Sequence, residues 1–475
     1  MRFSVDRGVE RHPGVDYRPV LLGGQPLRLI RLTTRSEKLF DALADGATLA
    51  DAARATRVTH GKADQFARRL LDASVLHPIP PALPMPDMTV VIPVRDRAES
   101  LDRLLRCLPS VAHVVVVDDG STDNSGEVAR HHGADVIRHL HARGPAAARN
   151  AGAAAATTEF VAFIDSDCVP SADWLATSLA HFADPDVLAV APRIVALGPT
   201  DTALRAYEDV RSALDLGPLP GPVIPKTRIA YVPSAALVVQ REAFAKIHGF
   251  DEVLHVGEDV DFMWRLQKYG TIRYEPEATV AHDHRHSLPA FARRRAQYGT
   301  SAAALARRHP GQVPPLVISP WTATAWIVAL TQTVPGIAIA AAVVEGTARQ
   351  LPAKLNTVKD AKSLGLRLGR HGHLGAGRHL ASAAIRTYLP LLGAAAIVSK
   401  RARRALVAAA VIPNVLEWRE RRPKLDPARF TALRIVDDAS YCFGVWLGCI
   451  RERTVAPLRP QFVNWPGRRK VSEDS

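Results

Sequence analysis

The sequence Phe163-Ile164-Asp165-Ser166-Asp167 closes an apolar run that begins at Phe160. A buried strand that ends on this sequence would place both carboxylates at one edge of a sheet, where open α/β sheets bind their ligands. One carboxylate can accept a hydrogen bond from a ribose, and the other can hold a divalent cation against a diphosphate. Short acidic turns are common, so an Asp-x-Asp sequence alone is a weak signal whose meaning depends on the surrounding chain.

The chain before this stretch alternates strands and helices in the pattern of a parallel sheet. The predicted strands cover 89–94, 111–117 and 135–137, and helices are predicted between them at 98–107 and 125–131. The second strand runs directly into Asp118-Asp119-Gly120, another acidic turn. An alanine-rich helix then begins at Gly144 and carries Arg149 and Asn150 as its polar exceptions. We therefore expect two acidic turns at the same edge of one sheet.

Several motifs occur in a fixed order along residues 88–300. They are Ile92-Pro93-Val94, the acidic turn at 117–123, the glycine-bounded helix start at 144–152, Asp165-Ser166-Asp167 and Gly257-Glu258-Asp259. This order resembles the family 2 glycosyltransferases of the GT-A fold, and the combination is far more specific than any single motif. The resemblance implies an α/β domain over residues 88–305 with a Rossmann-like mixed sheet, and an activity that moves a sugar from a nucleotide donor to an acceptor.

The resemblance also implies roles for individual residues of this sequence. Donor contacts are expected from Pro93, Asp118, Asp119, Arg143 and Asp165. A divalent metal ion, Mn²⁺ or Mg²⁺, is expected on Asp167 and His282, and acceptor contacts are expected from Trp264 and Arg265. Asp259 matches the family's general base, and Glu258 is an alternative group to meet the acceptor. A base-activated acceptor that displaces the nucleotide directly inverts the anomeric configuration.

Some of these side chains have purely structural alternatives. Arg143 can equally be a solvated surface arginine, and His282 a loop histidine without a metal ion. Trp264 can belong to the hydrophobic core instead of the acceptor site. The neighbouring Asp261 is expected to cap a helix over residues 262–268.

Further motifs resemble a smaller group within this family. The segments 191–195, 231–236 and 280–285 resemble the mycofactocin glycosyltransferases, and the likeness runs from about Val20 to the C-terminus. Members of that group are thought to extend a ribosomally derived peptide cofactor with a β-linked glucose chain. The resemblance thus implies UDP-glucose as donor and a peptide-derived acceptor. A polysaccharide or lipid-linked glycosyltransferase is the alternative enzyme, and a non-catalytic nucleotide-sugar-binding scaffold is the alternative of another class.

Residues 1–80 are expected to form a small α+β domain before a proline-rich linker at 78–87. A hairpin is predicted over 17–32 with a turn at Gly23-Gly24, followed by helices at 36–45, 49–55 and 61–73. This pattern resembles the winged-helix, peptide-binding domains of the PqqD type, which implies that the domain holds the peptide-derived acceptor. A packing or dimerisation appendage is the alternative. Nucleic-acid binding is disfavoured because no aromatic residues are interleaved with the basic ones of the last helix.

Residues 306–475 are expected to form a helical, membrane-associated region. Leu316–Val344 is 29 residues long without a charged side chain, which is enough to span a hydrocarbon core of ~30 Å, although prolines interrupt it. Two shorter apolar segments, 387–399 and 405–418, flank a basic cluster and suit helices at a lipid surface. A buried helical bundle is the alternative. The glycine-rich segment 365–377 is expected to be a flexible linker.

The composition limits the remaining choices. A net charge of +14 fits nucleic acid, anionic lipid or a phosphorylated substrate as partner, and the motifs favour a nucleotide sugar and a membrane. Four widely spaced cysteines indicate a reducing compartment without a disulfide framework. The first residues lack the apolar core of a signal peptide, so we expect the catalytic domain to stay on the cytoplasmic side. The helical region at 306–475 would hold it at the cell membrane.

Overall fold

The computed structural model describes residues 1–82, 84, 86–108, 113–284 and 287–463. Contacts between residues divide the chain into two units. The first unit contains residues 1–12 and 18–285, and the second contains residues 13–17 and 286–475. The domain boundaries predicted from composition, after residue 80 and after residue 305, stay predictions.

The elements up to residue 282 include both strands and helices. In chain order they are β1 (Arg2–Val5), β2 (Glu10–Pro13), β3 (Pro19–Gly23), β4 (Arg28–Arg31), α1 (Thr34–Ala44), α2 (Leu49–Ala55), α3 (His60–Asp72), β5 (Leu76–Ile79), β6 (Met88–Val94), α4 (Ala98–Leu105), β7 (His113–Asp118), α5 (Ser125–His131), β8 (Asp135–Arg138), α6 (Pro145–Ala155), β9 (Phe160–Ile164), β10 (Cys168–Pro170), α7 (Trp174–Ala180), β11 (Val187–Ala196), α8 (Ala203–Arg211), β12 (Gly221–Pro222), β13 (Ala236–Gln240), α9 (Arg241–Lys246), α10 (Glu258–Leu266) and β14 (Thr271–His282).

The elements after residue 287 are mainly helices. They are α11 (Leu288–Arg308), β15 (Val317–Ile318), α12 (Pro320–Ala329), α13 (Val334–Gln350), α14 (Ala361–Arg386), α15 (Leu389–Val398), α16 (Lys400–Arg421), α17 (Pro427–Arg451) and β16 (Gln461–Phe462). Single 3-10 turns cover His181–Ala183, Leu351–Lys354 and Ala456–Leu458.

The N-terminal part of the first unit consists of short strands and three helices around its own core. β3 and β4 pair antiparallel, which confirms the predicted hairpin. Thr33 and Thr48 accept hydrogen bonds from backbone N–H groups in the first turns of α1 and α2 and so cap both helices. The pairing of β1 with β5 was not predicted; it aligns Phe3 with Pro78, so the proline-rich segment begins inside a strand. The winged-helix assignment stays a prediction.

A mixed sheet forms the centre of the first unit. Among the described residues the strand order is β10-β14-β11-β13-β9-β6-β7-β8, with β12 added beside β14. β9, β6, β7 and β8 are parallel, whereas β13 runs antiparallel between β9 and β11. This arrangement is a GT-A-like mixed sheet with helices, as expected from the sequence. Residues 111 and 112 of the predicted second strand lie outside the described residues.

Helix α6 packs closely on this sheet because it is built from small residues. Its buried side chains include Ala146, Ala147 and Ala148. A Cβ atom on Gly152 would overlap Cγ1 of Val91 in β6. The glycine therefore allows the helix to lie nearer to the strands than any other residue would permit.

The second unit is a bundle of helices with a buried ionic cluster. α11 and α17 touch through their backbones, since a Cβ atom on Gly444 would overlap the carbonyl oxygen of Ala296. Arg386 Nη1 lies 2.7 Å from Asp438 Oδ1, and Arg434 forms an ion pair with the same carboxylate. The first pair links α14 to α17 and the second lies within α17, and removal of one partner would leave the other charge uncompensated.

Two expectations for the C-terminal part have to be revised. The predicted flexible linker at 365–377 is wrong, because the segment lies inside the 26-residue helix α14. Two of its glycines are packing positions, since Gly369 faces Ala348 and Gly377 faces Trp326. The uncharged stretch 316–344 is divided between α12 and α13. Within the described residues no single helix has the length and apolarity of a membrane span, and the bent pair α14–α15, with an angle of 89° between the two helices, meets that test only jointly.

Candidate active site

The two predicted acidic turns lie at the ends of parallel strands of the same sheet. Asp118 is the last residue of β7, and Asp165 directly follows β9; β6 lies between the two strands. Parallel strands end at the same edge of a sheet, so both turns belong to one edge. The backbone N–H of Asp165 donates to the carbonyl oxygen of Ala235 at 2.9 Å, which ties this turn to the start of β13.

A buried arginine joins this edge to the Glu258-Asp259 pair. Arg149, on α6, is 3% exposed; its Nη2 donates to Asp165 Oδ1 at 2.6 Å and its Nη1 to Glu258 Oε1 at 3.3 Å. Burial alone would lower the pKa of this guanidinium, but the charges of Asp165 and Glu258 outweigh that effect and raise it. Arg149 thus forms one ionic unit with Asp165, which is 16 residues away in sequence, and with Glu258, which is 109 residues away.

Glu258 and Asp259 begin helix α10. Gly257 precedes them with φ at +85°, a left-handed conformation that turns the chain sharply into the helix. Burial, followed by the neighbouring charge of Asp259, raises the pKa of Glu258 to about 7, while Arg149 opposes the shift. Burial also raises the pKa of Asp259. The pair can therefore exchange a proton near neutral pH, which suits a general base.

Asp167 and His282 come together across strands β10 and β14. His282 Nε2 lies 3.5 Å from Asp167 Oδ1, and the backbone N–H of Asp283 donates to the carbonyl oxygen of Asp167. His282 Nδ1 is buried and has no hydrogen-bond partner among the described residues. A carboxylate and an imidazole are ordinary ligands of Mn²⁺, so this pair fits a divalent cation. No group of three His, Cys, Asp or Glu ligands occurs in the described part of the chain.

Arg97 is a third member of this group. Its Nη1 lies 2.8 Å from Asp167 Oδ2, and its side chain is partly exposed. The guanidinium therefore places positive charge beside the predicted metal ligands, where the phosphates of a donor would also need it.

Asp119 is bound by the loop that leads into α6. His139 Nδ1 lies 2.7 Å from Asp119 Oδ1, and the backbone N–H groups of Arg143 and Gly144 donate to its two oxygens at 2.9 and 2.8 Å. Burial would raise the pKa of Asp119, but these hydrogen bonds outweigh it and hold the pKa below its ordinary value. Asp119 thus fixes the start of the helix that carries Arg149, and its expected base contact stays a prediction.

Asp118 points into the protein. It is fully buried, forms an ion pair with Arg138 and accepts a hydrogen bond from the backbone N–H of Ser121 at 2.8 Å. These contacts shape the acidic turn. A direct contact with the donor stays a prediction, as does one by Pro93, which is half-buried within β6.

The remaining predicted site residues have structural partners. Arg143 Nη2 donates to Glu252 Oε2 at 2.9 Å. Trp264 is buried and its Nε1 donates to the carbonyl oxygen of Ala230. Arg265 donates to Asp261 and, with its terminal nitrogens, to the carbonyl oxygens of residues 247 and 249.

These contacts leave some expectations open and correct one. Roles of Arg143 in donor binding and of Trp264 and Arg265 in acceptor binding stay predictions. The expectation that Asp261 caps a helix is wrong, because α10 begins at Glu258 and Asp261 lies within it. Arg285, the last residue of the motif 280–285, lies outside the described residues.

Three residues of the site were missed as functional candidates. Arg149 was noted only as a polar exception in an alanine-rich helix, yet a charged residue in such a helix is itself a signal, because it must have a buried partner. His139 and Arg97 carried no pattern that distinguished them from surface residues. Their partners, Asp119 and Asp167, come from distant parts of the chain.

Comparison with known proteins agrees with this geometry. Residues 89–245 match the family model for glycosyl transferase family 2. The chain is 43% identical, over 93% of its length and 94% of the relative's, to a pre-mycofactocin glycosyltransferase of Mycobacterium tuberculosis. It is 28% identical to the succinoglycan biosynthesis protein ExoU of Rhizobium meliloti over 40% of this chain and 59% of that one.

Among solved structures, a mannosyltransferase of Pyrobaculum calidifontis in complex with GDP-mannose and Mn²⁺ is similar at a TM-score of 0.39. The sequence identity is 20%, and the match covers 73% of this chain and 91% of that one.

Proposed function

Because the chain belongs to glycosyltransferase family 2, we propose that it transfers glucose from UDP-glucose, with inversion, to a mycofactocin-type peptide-derived acceptor or to a β-glucan growing on it. The observation that carries this proposal is the 43% identity with a pre-mycofactocin glycosyltransferase along nearly the whole of both chains. A relationship of that extent includes the N-terminal and C-terminal regions as well as the catalytic sheet.

Asp259, Glu258 and Asp165 can each take a different role in the reaction. Asp259 accepts the proton of the acceptor hydroxyl, and Glu258 shares that proton because the two pKa values are raised together. Arg149 holds Glu258 on one side and Asp165 on the other, so it fixes the distance between the proton-accepting pair and the ribose-binding carboxylate. Direct displacement by the activated hydroxyl inverts the anomeric centre.

The donor diphosphate needs positive charge as its sugar leaves. Arg97 supplies a guanidinium next to Asp167. Asp167 and His282 would hold a divalent cation, Mn²⁺ or Mg²⁺, whose charge neutralises the leaving group when bound. Asp119 keeps the loop at 139–144 against the same sheet edge, where the nucleotide is expected to lie.

We further propose that residues 1–80, as a winged-helix-like domain, hold the peptide part of the acceptor. This region is joined to the catalytic sheet within the first unit: Arg68 forms an ion pair with Asp186, and the backbone N–H of Arg228 donates to Gln25 Oε1 at 3.2 Å. A domain attached in this way can present a bound peptide at a constant distance from the catalytic groups.

The second unit is proposed to bind the membrane, with the catalytic unit on the cytoplasmic side. Helix α15 has no buried residue, and Ile397 and Val398 at its end are 78% and 87% exposed. Lys400 and Arg401 follow directly and suit anionic headgroups. The same exposed apolar residues favour the second candidate function, a lipid-linked glycosyltransferase, because its acceptor would reside in the membrane.

The deciding experiment measures turnover of a panel of nucleotide sugars with Mn²⁺ or Mg²⁺, with and without the peptide acceptor. We expect UDP-glucose to be consumed fastest, and only with metal and peptide present, and the product to carry a β-linkage. Preference for a lipid-phosphate acceptor over the peptide would favour the second candidate. Consumption of no nucleotide sugar under any of these conditions would contradict both candidates.

A further inference from the structure

The loop at 247–257 joins α9 to α10 and leads directly into Glu258 and Asp259. Its residues, all of them described, form turns and bends but no helix or strand. A backbone without regular structure has to be positioned by other groups that satisfy its N–H and C=O groups. Asn150 on α6 does this near the start of the loop, and no step of the reaction above involves its side chain.

Asn150 binds both backbone groups of Phe250. The backbone N–H of Phe250 donates to Asn150 Oδ1 at 2.9 Å, and Asn150 Nδ2 donates to the carbonyl oxygen of Phe250 at 2.8 Å. Asn150 Nδ2 also donates to Glu252 Oε1 at 3.1 Å. A side-chain amide offers a donor and an acceptor, so it can replace the pairing that a neighbouring strand would supply. These contacts fix the backbone of Phe250 relative to α6.

An ion pair at the surface supports the same part of the loop. Arg143 Nη2 donates to Glu252 Oε2, the oxygen that Asn150 does not use, at 2.9 Å. The side chains of Arg143 and Glu252 are 56% and 41% exposed, so we expect little stability from this pair alone. The backbone N–H of Arg143 is in turn bound by Asp119. The loop at 247–257 is therefore attached to the loop at 139–144 as well as to α6.

The ring of Phe250 contacts both elements that lead to the acid groups. Phe250 is 2% exposed. Its ring stacks on that of Phe262 in α10, with 4.5 Å between the centroids, and meets that of Phe163 in β9 edge-on at 5.5 Å. Phe163 lies two residues before Asp165, and Phe262 lies three residues after Asp259. The position of one ring thus affects both sides of the candidate active site.

The same ring also supports Arg149. The guanidinium carbon Cζ of Arg149 lies 5.6 Å from the centroid of the Phe250 ring, within the range of a cation–π contact. Arg149 is the residue that donates to Asp165 and to Glu258. A displaced Phe250 would therefore allow the guanidinium to move away from both carboxylates.

We propose that Asn150 is a positioning residue for the pair Glu258 and Asp259, and that it acts through Phe250. By binding the backbone of Phe250 it keeps the ring against Arg149 and against the helix that begins with the acid pair. The inference rests on the proposed part of Asp259 in glycosyl transfer, and it adds a residue that acts only through another side chain.

The test compares Asn150→Ala, Phe250→Leu and their double variant with Asn414→Ala, each as the full chain. Asn414 is a buried asparagine of α16 whose Nδ2 donates to the carbonyl oxygen of Ala410 at 2.7 Å. Its substitution is the matched control for a lost amide hydrogen bond outside the first unit. The measurements are kcat and KM for the nucleotide sugar, melting curves, and hydrogen exchange of the segment 249–266.

We expect Asn150→Ala to lower kcat about tenfold, because the proton acceptor is displaced, and to leave KM for the nucleotide sugar within about twofold. Hydrogen exchange over 249–266 should become faster in this variant and stay unchanged in Asn414→Ala. The double variant should be no slower than Phe250→Leu, because both changes break the same connection. Asn150→Asp, which keeps the shape of the side chain but loses its donor, replaces Asn150→Ala if that variant does not fold.

Three results would overturn the inference: an unchanged kcat in folded Asn150→Ala, a rise in KM in place of the fall in kcat, or losses of Asn150→Ala and Phe250→Leu that add. In all three the unsubstituted protein still turns over the nucleotide sugar. An unsubstituted protein without turnover would instead contradict the proposed function. The hydrogen exchange of 249–266 would then still decide whether Asn150 holds Phe250 in place.

Discussion

Both units pair arginines with carboxylates, but the carboxylates of the two clusters differ in their exposure to solvent. In the first unit Arg149 is bound by Asp165, whose side chain remains 27% exposed. In the second unit Arg386 and Arg434 share Asp438, whose side chain is 5% exposed. The first cluster presents a carboxylate to solvent at the end of a sheet, whereas in the second the shared carboxylate is buried and only Arg386, at 30% exposure, reaches solvent.

This difference indicates how a structural ionic cluster is told from a functional one. A buried guanidinium with acid partners perturbs pKa values and links elements of the fold in either case. Only the accessible cluster can also meet a substrate. Substitutions in the first cluster should therefore change the reaction, and substitutions in the second should change stability.

The largest effect is expected from Asp259→Asn. Removal of the proton acceptor should lower kcat by about 10³-fold, within the range of lost general bases, without a comparable change in the unfolding temperature. Turnover of UDP-glucose under saturating acceptor measures this. Unchanged turnover would show that Asp259 is not the general base. The proposed functional difference between the first and the second cluster would then lose its main support.

The counterpart in the second unit is Asp438→Asn. It leaves the buried Arg434 and the partly exposed Arg386 without their shared charge, so the free energy of unfolding should fall by about 3 kcal/mol. Denaturant titration measures the loss, and kcat of the folded fraction should stay within about twofold of the original, since the buried Asp438 carboxylate makes no contact with a transition state. A large fall in kcat at full folding would show that this cluster also serves the reaction.

The substitution Arg149→Met tests whether the arginine of the first cluster acts on the reaction or only on packing. Loss of the guanidinium should reduce kcat/KM about 10²-fold, because Glu258 and Asp165 lose the group that positions them. It should also move the acidic limb of the pH profile upward, since Arg149 lowers the pKa values of both Glu258 and Asp259. Arg149→Lys keeps the charge and is the matched control; it should restore the position of the limb. A loss of activity without this shift would mean that Arg149 acts only in packing.

The smallest effect concerns stability against pH. The pKa of Glu258 is raised to about 7 in the folded protein, so between its ordinary value of 4.5 and 7 the folded state binds more protons than the unfolded state. Stability should therefore decline as pH rises through this window. Glu258→Gln cannot ionise and should abolish that part of the decline. Parallel curves for both proteins would be evidence against a buried, proton-holding Glu258.

Local sequence patterns were sufficient to predict the strands and the acidic turns that follow them. The apolar run before Asp165 and the valines before Asp118 fix strand positions through short-range chemistry, and the structure has strands there. The helix predicted over 49–55 followed in the same way. These features depend on residues that are neighbours in sequence.

What escaped prediction depends on contacts between distant residues. Arg149 meets Glu258 across 109 positions, and no local pattern records that meeting. The segment 365–377 was misjudged because glycine disfavours an isolated helix, whereas here Gly369 and Gly377 stabilise one by letting Ala348 and Trp326 approach. Tertiary packing overrode local propensity at this point.

The close contact between Gly152 and Val91 also limits where Arg149 can lie relative to the sheet. Arg149 lies one helical turn before Gly152, so the thickness of the layer between α6 and β6 determines how far its guanidinium reaches past the sheet edge. An added methyl group would lift the helix by a fraction of a bond length or more and carry both hydrogen bonds of Arg149 with it. The absence of a side chain at Gly152 thus sets the position from which Arg149 contacts Asp165 and Glu258.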